Sequence, residues 1–347
     1  MTSADANPDA ALLRSLADRV DDGLRDALDG AREVALVNFP NHNNPGDPAI
    51  WLGTRAALRR IGVRVRYQCA WSSYSPEALR RAVPDGPVLI NGGGNFGDLY
   101  RGQQALRERV LAELTDHRII QLPQSIHFRK QKNLDRVRRL VADHGRVMLI
   151  TRERRSEQLA REQFDADVRL LPDMALALRS LQPVTSTPTS DVLWLHRLPG
   201  DAEYVDHGAD FGPGTREVEW IKPQDVEPQW APGARLARRV NGWLMPRCKE
   251  NPRWARYAWR PLGATFVPLG EGFVRRGLAI MATGRVLVTD KLHGHILALL
   301  AGIPHVVMDN SYGKVSGTYQ AWTHPSTLAR WADTGSEAER YVRELLG

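Results

Sequence analysis

Residues 285–304 read RVLVTDKLHGHILALLAGIP and place a charged joint between two apolar runs. RVLVT has the composition of a buried strand, and ILALLAGIP reads as a buried helix stopped by Gly302, Ile303 and Pro304. Between them stand Lys291, His293 and His295. A charge between two buried elements costs free energy unless something binds it. Strand, polar joint and helix also form the repeating unit of a parallel α/β sheet, whose functional loops lie at the carboxyl ends of its strands.

The same unit recurs upstream. REVALVNFP (32–40) is strand-like, NHNNPGDP is a polar loop, and AIWLGTRAALRRIG (49–62) has helical apolar spacing. VRVRYQCA (63–70) alternates as a strand, SPEALRRAV (75–83) opens as a capped helix, and GPVLINGGG (86–94) runs from a buried strand into glycines. RIIQLPQSI (118–126) and RVMLITRE (146–153) repeat the pattern, each after a helix. The alternation predicts a parallel sheet covered on both faces, with functional loops at 41–48, 91–98, 122–128 and 151–155.

At 347 residues the chain is expected to form two domains. The expected division is an N-terminal helical or flexible segment over 1–30, an α/β domain over 31–181, a second α/β domain over 190–320, and a helical segment over 321–347 packing back on the first domain. QPVTSTPTS (182–190) reads as a linker, and DVLWLHRLPG restarts with a strand. Residues 264–270 also read as a strand, whereas 199–234, rich in Gly, Pro and acid, give no assignable element.

The composition is that of a globular protein, with 42% hydrophobic and 25% charged residues. No apolar stretch reaches the length of a membrane span, and the polar MTSADANPDA, expected to fray, lacks a signal core. A cytoplasmic protein is expected, with the inner face of the membrane as a further station. The net charge of +7 suits phosphorylated small molecules, nucleic acid or an anionic membrane. Two cysteines define neither a disulfide framework nor a zinc site, and no HExxH is present. Residues 235–260 hold eight Arg and Lys against one acid, with Trp243, Trp254, Tyr257 and Trp259 interleaved. Leu236, Val240, Trp243 and Leu244 fit one face of a helix. This suits a lipid-linked glycan or anionic lipid, or equally a solvated crossover; no nucleic-acid motif accompanies it.

Four loops hold the candidate residues. In the first, Asp47 or His42 could accept a proton, and a helix cap explains Asp47 equally well. In the second, the amides of Gly92, Gly93 and Gly94, beside Asn95, could cradle an anion; a tight turn is the alternative, since neither GxGxxG nor a P-loop is present. In the third, Gln124 and Ser125 follow one strand and Arg152 the next, where its guanidinium could hold an oxyanion; a surface salt bridge with Glu153 or Glu157 is the alternative. The fourth carries Lys291 and His293, with His295 turned away if a helix starts there, and Lys314 follows in DNSYGK.

Taken in order, N-x-P-x-H-x-N-x-G-D-x-A-I (38–50), N-G-G-G-N-F-G-D (91–98), P-Q-S-I (123–126), R-E-x-x-S (152–156), P-D-x-A (172–175), D-K-L-H-G-H-I (290–296), G-I-P (302–304) and N-S-Y-G-K (310–314) resemble the polysaccharide pyruvyl transferase family. The resemblance implies two Rossmann-like domains facing a cleft, as in GT-B glycosyltransferases. It implies transfer of the enolpyruvyl unit of phosphoenolpyruvate onto two hydroxyls of a sugar, giving a cyclic ketal, with no metal or cofactor. On it, His293 is the general acid, Asp47 the base with His42 in reserve, and Arg152 and Lys291 the donor contacts. The family's RxH pair is Lys291 and His293 here, so the charge is kept and the planar fork lost. A nucleotide-sugar glycosyltransferase and a non-catalytic glycan- or phosphate-binding protein are the rival readings.

Overall fold

Runs of Val, Ile and Leu bounded by polar joints form strands buried on both faces. The computed structural model describes residues 7–201, 203–221 and 230–347. The polar first six residues lie outside the described residues, as do 222–229 of the stretch without assignable elements. The first half runs α1 (Pro8–Leu28), β1 (Glu33–Phe39), α2 (Gly46–Arg60), β2 (Arg64–Ala70), α3 (Pro76–Ala82), β3 (Val88–Ile90), β4 (Gly93–Gly97), α4 (Arg101–Glu113), β5 (Ile119–His127), α5 (Gln131–His144), β6 (Val147–Thr151), α6 (Arg154–Gln163) and β7 (Asp167–Leu170). Its sheet is parallel, ordered β2-β1-β3-β5-β6-β7, and β4 continues past β3 along β5.

The second half runs β8 (Ser190–Leu195), β9 (Thr215–Val218), α7 (Pro232–Glu250), α8 (Ala255–Met281), β10 (Gly284–Thr289), α9 (Leu292–Leu300), β11 (His305–Val307), α10 (Lys314–Thr318), β12 (Ala329–Trp331) and α11 (Gly335–Leu346). This sheet is also parallel, ordered β12-β11-β10-β8-β9. Among the described residues no helix is long and apolar enough to cross a membrane.

Two expectations change. Residues 264–270 are not a strand but part of α8, despite Pro261 and Pro268 inside it. The buried positions Leu262, Phe266, Leu269 and Phe273 are spaced 4-3-4, a helical period that a short window hides. Phe266 stacks on Phe39, centroids 4.2 Å apart, and meets the Trp51 edge at 5.7 Å. Trp259 lies against Tyr67, and Gln68 donates to the Gly263 carbonyl at 2.8 Å, so α7 and α8 cross back over the first sheet. The C-terminal helix α11, for its part, packs on β10 and β11, where Ala338 and Val342 join Val286 and Val288. The return to the first half is made just before it: Trp322 Nε1 donates to the Arg152 carbonyl at 2.8 Å, and the Thr327 amide donates to Asp9 at 3.0 Å.

One apolar cluster runs from Leu36 and Ile120 through Phe266 to Leu193 and Leu287, so both layers share a core. Each such side chain contributes roughly 1.5–3 kcal/mol on burial. The carboxyl edges of both sheets open on the cleft between them.

Candidate active site

The cleft is a cavity of about 210 Å³. From the first half it is lined by His42, Asp47, Gly94, Asn95 and Arg152, and from the second by Arg197, Glu203, Lys291, His293 and Lys314. Eight of the thirteen candidate residues read from the sequence meet here; Gly92, Gly93, Gln124, Ser125 and His295 do not line it.

His293 sits in the first turn of α9, where the chain leaves β10. Its ring lies against Gly46 at the start of α2: a Cβ on Gly46 would fall 2.3 Å from the imidazole Cγ. On the other side, His293 Nε2 is 3.6 Å from Asp173 Oδ2, beyond hydrogen-bond length, and has no bonded partner. Asp173 is fully buried and also accepts from Arg152 Nη1 at 2.7 Å. Burial opposes its charge, yet His293 and Arg152 outweigh that and hold its carboxyl well below the usual range. Arg152 is 1% exposed. Its Nε donates to Ser125 Oγ at 2.9 Å, and Ser125 donates to Glu153 at 2.9 Å. Ser125 is therefore a support behind the arginine, not a lining group. Arg152 Nη2 lies under Gly94, 3.1 Å from where a Cβ would stand. Asp173 carries no role in the sequence reading, although P-D-x-A was among the motifs; a carboxylate needs its partners visible before its task is.

Asp47 does not cap its helix. α2 starts without a side-chain cap bond from its N-cap residue, while Asn44 accepts from the Gly46 amide at 3.1 Å. Asp47 Oδ2 instead stands 3.3 Å from His42 Nε2. This pair also borders a side chamber of about 140 Å³ lined by Asn38, Trp71, Asn91 and Gly92 among others. Asn38, at the end of β1, holds a left-handed φ of 74°.

The glycines allow a positive φ and a close approach: Gly93, which opens β4, has a φ of 130°, and Gly92 packs so closely on β5 that a Cβ would lie 2.4 Å from the Pro123 carbonyl oxygen. Gly94 alone of the three reaches the cleft. Asn95 Oδ1 accepts from Arg107 Nη2 at 2.9 Å and Gln124 Nε2 at 3.0 Å, which fixes the amide and leaves Nδ2 as its outward donor. Gln124 thus acts from behind. Arg107 is buried with its bonds going to the neutral oxygens of Gln121, Gln104 and Asn95, and burial lowers its pKa to about 9.

The cations of the second half are already paired. Lys291 Nζ donates to Glu219 Oε1 at 2.7 Å, and burial, with Arg197 nearby, lowers the pKa of the ammonium against the pull of Glu219. Glu203 is 2% exposed and accepts from Lys314 Nζ, from Arg197 Nη2 at 2.9 Å and from Tyr312 Oη at 3.0 Å. Burial opposes its charge, yet Lys314 and Arg197 bring its pKa down to about 2. Arg197, Glu203 and Glu219 lay in or beside the stretch that gave no sequence signal.

His295 is not a site residue. It is fully buried, and its neighbours fix every proton. The Ile303 carbonyl can only accept, so His305 Nδ1, 2.7 Å away, carries a hydrogen. His305 Nε2 then accepts from His295 Nδ1 at 2.8 Å, and His295 Nε2 accepts from Thr323 Oγ1 at 2.7 Å. Burial lowers the His305 pKa to about 4 and that of His295 well below its usual value.

Comparisons with known proteins bear on this cleft. Residues 44–312 match the family model described as polysaccharide pyruvyl transferase. Pyruvyl transferase 1 of Schizosaccharomyces pombe is 33% identical over 312 residues, covering 86% of this chain and 72% of that protein. The putative pyruvyl transferase EpsO of Bacillus subtilis is 30% identical over 312 residues, covering 88% and 90%. In fold, an uncharacterised protein of Klebsiella pneumoniae aligns over 92% of this chain and 99% of its own with a TM-score of 0.54 at 17% identity. The architecture is the expected one, two Rossmann-like layers facing a cleft in the GT-B manner, and the chain belongs to the polysaccharide pyruvyl transferase family.

Proposed function

We propose that the protein transfers the enolpyruvyl unit of phosphoenolpyruvate onto two hydroxyls of one sugar, forming a cyclic ketal and releasing phosphate. The observation that carries this is the pairing across the cleft: His293 from the second half stands beside the buried Asp173–Arg152 pair of the first. The donor's phosphate and carboxylate would meet Arg152 Nη2, Lys291, Asn95 Nδ2 and the first amides of α9, whose start has no side-chain cap.

His293 gives a proton to the methylene carbon, with the ionised Asp173 carboxylate 3.6 Å from its ring. The neighbouring carbon becomes oxocarbenium-like, and a sugar hydroxyl bonds to it, passing its proton to Asp47 or through it to His42. The second hydroxyl bonds to the same carbon as the carbon–oxygen bond to phosphate breaks. Of the two hydroxyl protons, one restores His293 and the other leaves with phosphate, so the scheme closes without a cofactor. The side chamber beyond Asp47 is where the acceptor would lie, its amides and Trp71 suiting a sugar. Its substrate would be a glycan or lipid-linked glycan, modified from the cytoplasmic face where phosphoenolpyruvate is made.

The test is thermal stabilisation by phosphoenolpyruvate beside a panel of nucleotide sugars. A ligand at 100 times its dissociation constant adds about 2.7 kcal/mol. Arg152→Lys is the informative control, because Arg152→Ala would strand the buried Asp173 charge and weaken the fold itself. Stabilisation by phosphoenolpyruvate that fades in Arg152→Lys supports the reading. A shift with a nucleotide sugar alone makes the protein a glycosyltransferase, and no shift with either removes the donor assignment.

A further inference from the structure

We propose that the outer face of the α7–α8 hairpin docks on an anionic lipid bilayer. The inference does not depend on the reaction above. α7 already buries one stripe, Ala234, Ala237, Asn241, Leu244, Met245 and Cys248, against the rest of the molecule. The sequence grouped Leu236, Val240, Trp243 and Leu244 on one helix face, and the structure divides them: Leu244 is buried, whereas Leu236 is 64% exposed and Trp243 54%. With Val240, which is half-buried against the core, they make a second stripe at helical spacing whose outer members, Leu236 and Trp243, stay exposed. The stripe continues across the turn to Trp254 and Tyr257, the latter 73% exposed, with the Trp243 and Trp254 rings 6.4 Å apart. Four of the seven large apolar side chains exposed among the described residues are therefore on this one hairpin.

Around the stripe, Arg235, Arg238, Arg239, Lys249, Arg253 and Arg260 are exposed, and Glu250 is the sole acid between 235 and 260. Tryptophan and tyrosine settle at the headgroup level of a bilayer, and arginines beside them meet lipid phosphate. Single-stranded nucleic acid fits less well, because it needs open ring faces. Here the Arg247 guanidinium covers Trp243 at 4.0 Å, and Trp254 meets Trp243 edge-on. The inner side of the same helix touches the site: Asn41 Nδ2 donates to Asn241 Oδ1 at 3.0 Å, one residue before His42. A docked hairpin would hold the mouth of the cleft close to lipid-borne substrates.

Co-sedimentation of the full chain with vesicles tests this. Phosphatidylcholine vesicles containing phosphatidylglycerol should carry the protein down, less so as salt rises, and pure phosphatidylcholine should not. Removing single arginines, as in Arg238→Gln or Arg253→Gln, should weaken binding roughly fivefold each. The triple variant Trp243→Ser, Trp254→Ser, Tyr257→Ser should stay in the supernatant with an unaltered melting temperature, since all three side chains are exposed. Equal pelleting of the triple variant overturns the proposal. So does binding to single-stranded DNA without binding to vesicles, or a soluble dimer that the triple variant dissolves while vesicles are ignored.

Discussion

His293 and His295 stand two residues apart in one helix and share nothing in their surroundings. Two residues turn an α-helix by about 200°, so one ring faces the cleft and the other the core. His295 is locked in a chain from Thr323 to the Ile303 carbonyl in which each hydrogen has one place to go. A proton added there would set two donors face to face. His293 has an ionised carboxylate 3.6 Å away, a glycine where any other residue would collide, and a ring nitrogen without a bonded partner. A histidine with complete bonding is part of the packing. One held beside a charge but left incomplete can still move a proton.

Substitutions can break that contrast. His293→Ala should lower turnover roughly 10²–10⁴-fold with phosphoenolpyruvate binding and melting temperature nearly unchanged; wild-type turnover in that variant would remove the acid role. Gly46→Ala should come next, because its methyl would overlap the imidazole and displace it. A misplacement of about 1 Å can cost on the order of 10²-fold, and steady-state kinetics showing kcat lowered more than donor affinity would bear this out. His295→Ala should do the reverse, losing about 2–4 kcal/mol of stability in urea unfolding through two lost hydrogen bonds and a cavity, while the folded fraction keeps its turnover.

The smallest effect is one of pH. The folded-state pKa values of His295 and His305 are depressed, so between pH 6.5 and about 4 the unfolded chain binds more protons than the folded one. Stability should therefore fall as the pH drops through that window. His305→Gln should flatten the slope. A slope unchanged in that variant would move the acid lability to other groups. Glu203 acts lower on the scale: its contribution is complete above about 4.5 and drains away as the pH falls through about 2.

The sequence made the parallel sheets legible because their strands are short, continuous apolar runs between polar joints, a pattern that buried parallel strands impose. It made His293, Asp47, Arg152 and Lys291 legible because each lies in the joint after a strand or in the first turn of the helix that follows it. Residues 264–270 misled because Thr265, Phe266 and Val267 suit a strand and a window of seven cannot show the 4-3-4 spacing without its neighbours. Glu203 and Glu219 were hidden because their roles rest on partners about a hundred and about seventy positions away, Lys314 and Lys291. The grouping of Leu244 with Leu236 and Trp243 on one helix face was too coarse, since Leu244 is buried and the other two are exposed. A helix can carry two apolar stripes, and periodicity does not say which one is covered.

The route of the chain has a consequence for modularity. It passes from the first sheet to the second after β7, returns with α7 and α8, and crosses again into β10. A cut near residue 190 would strip the first half of Phe266, which stacks on Phe39, and leave it an open apolar trough. Neither half is then a portable cassette, and chimeras meant to exchange donor and acceptor preferences must move α7 and α8 together with the amino-terminal layer. Any opening or closing of the cleft would have to act through the shared core and the chain segments that cross between the layers. Parts on either side, such as His293 and Asp173, would come back to the same register on every turnover.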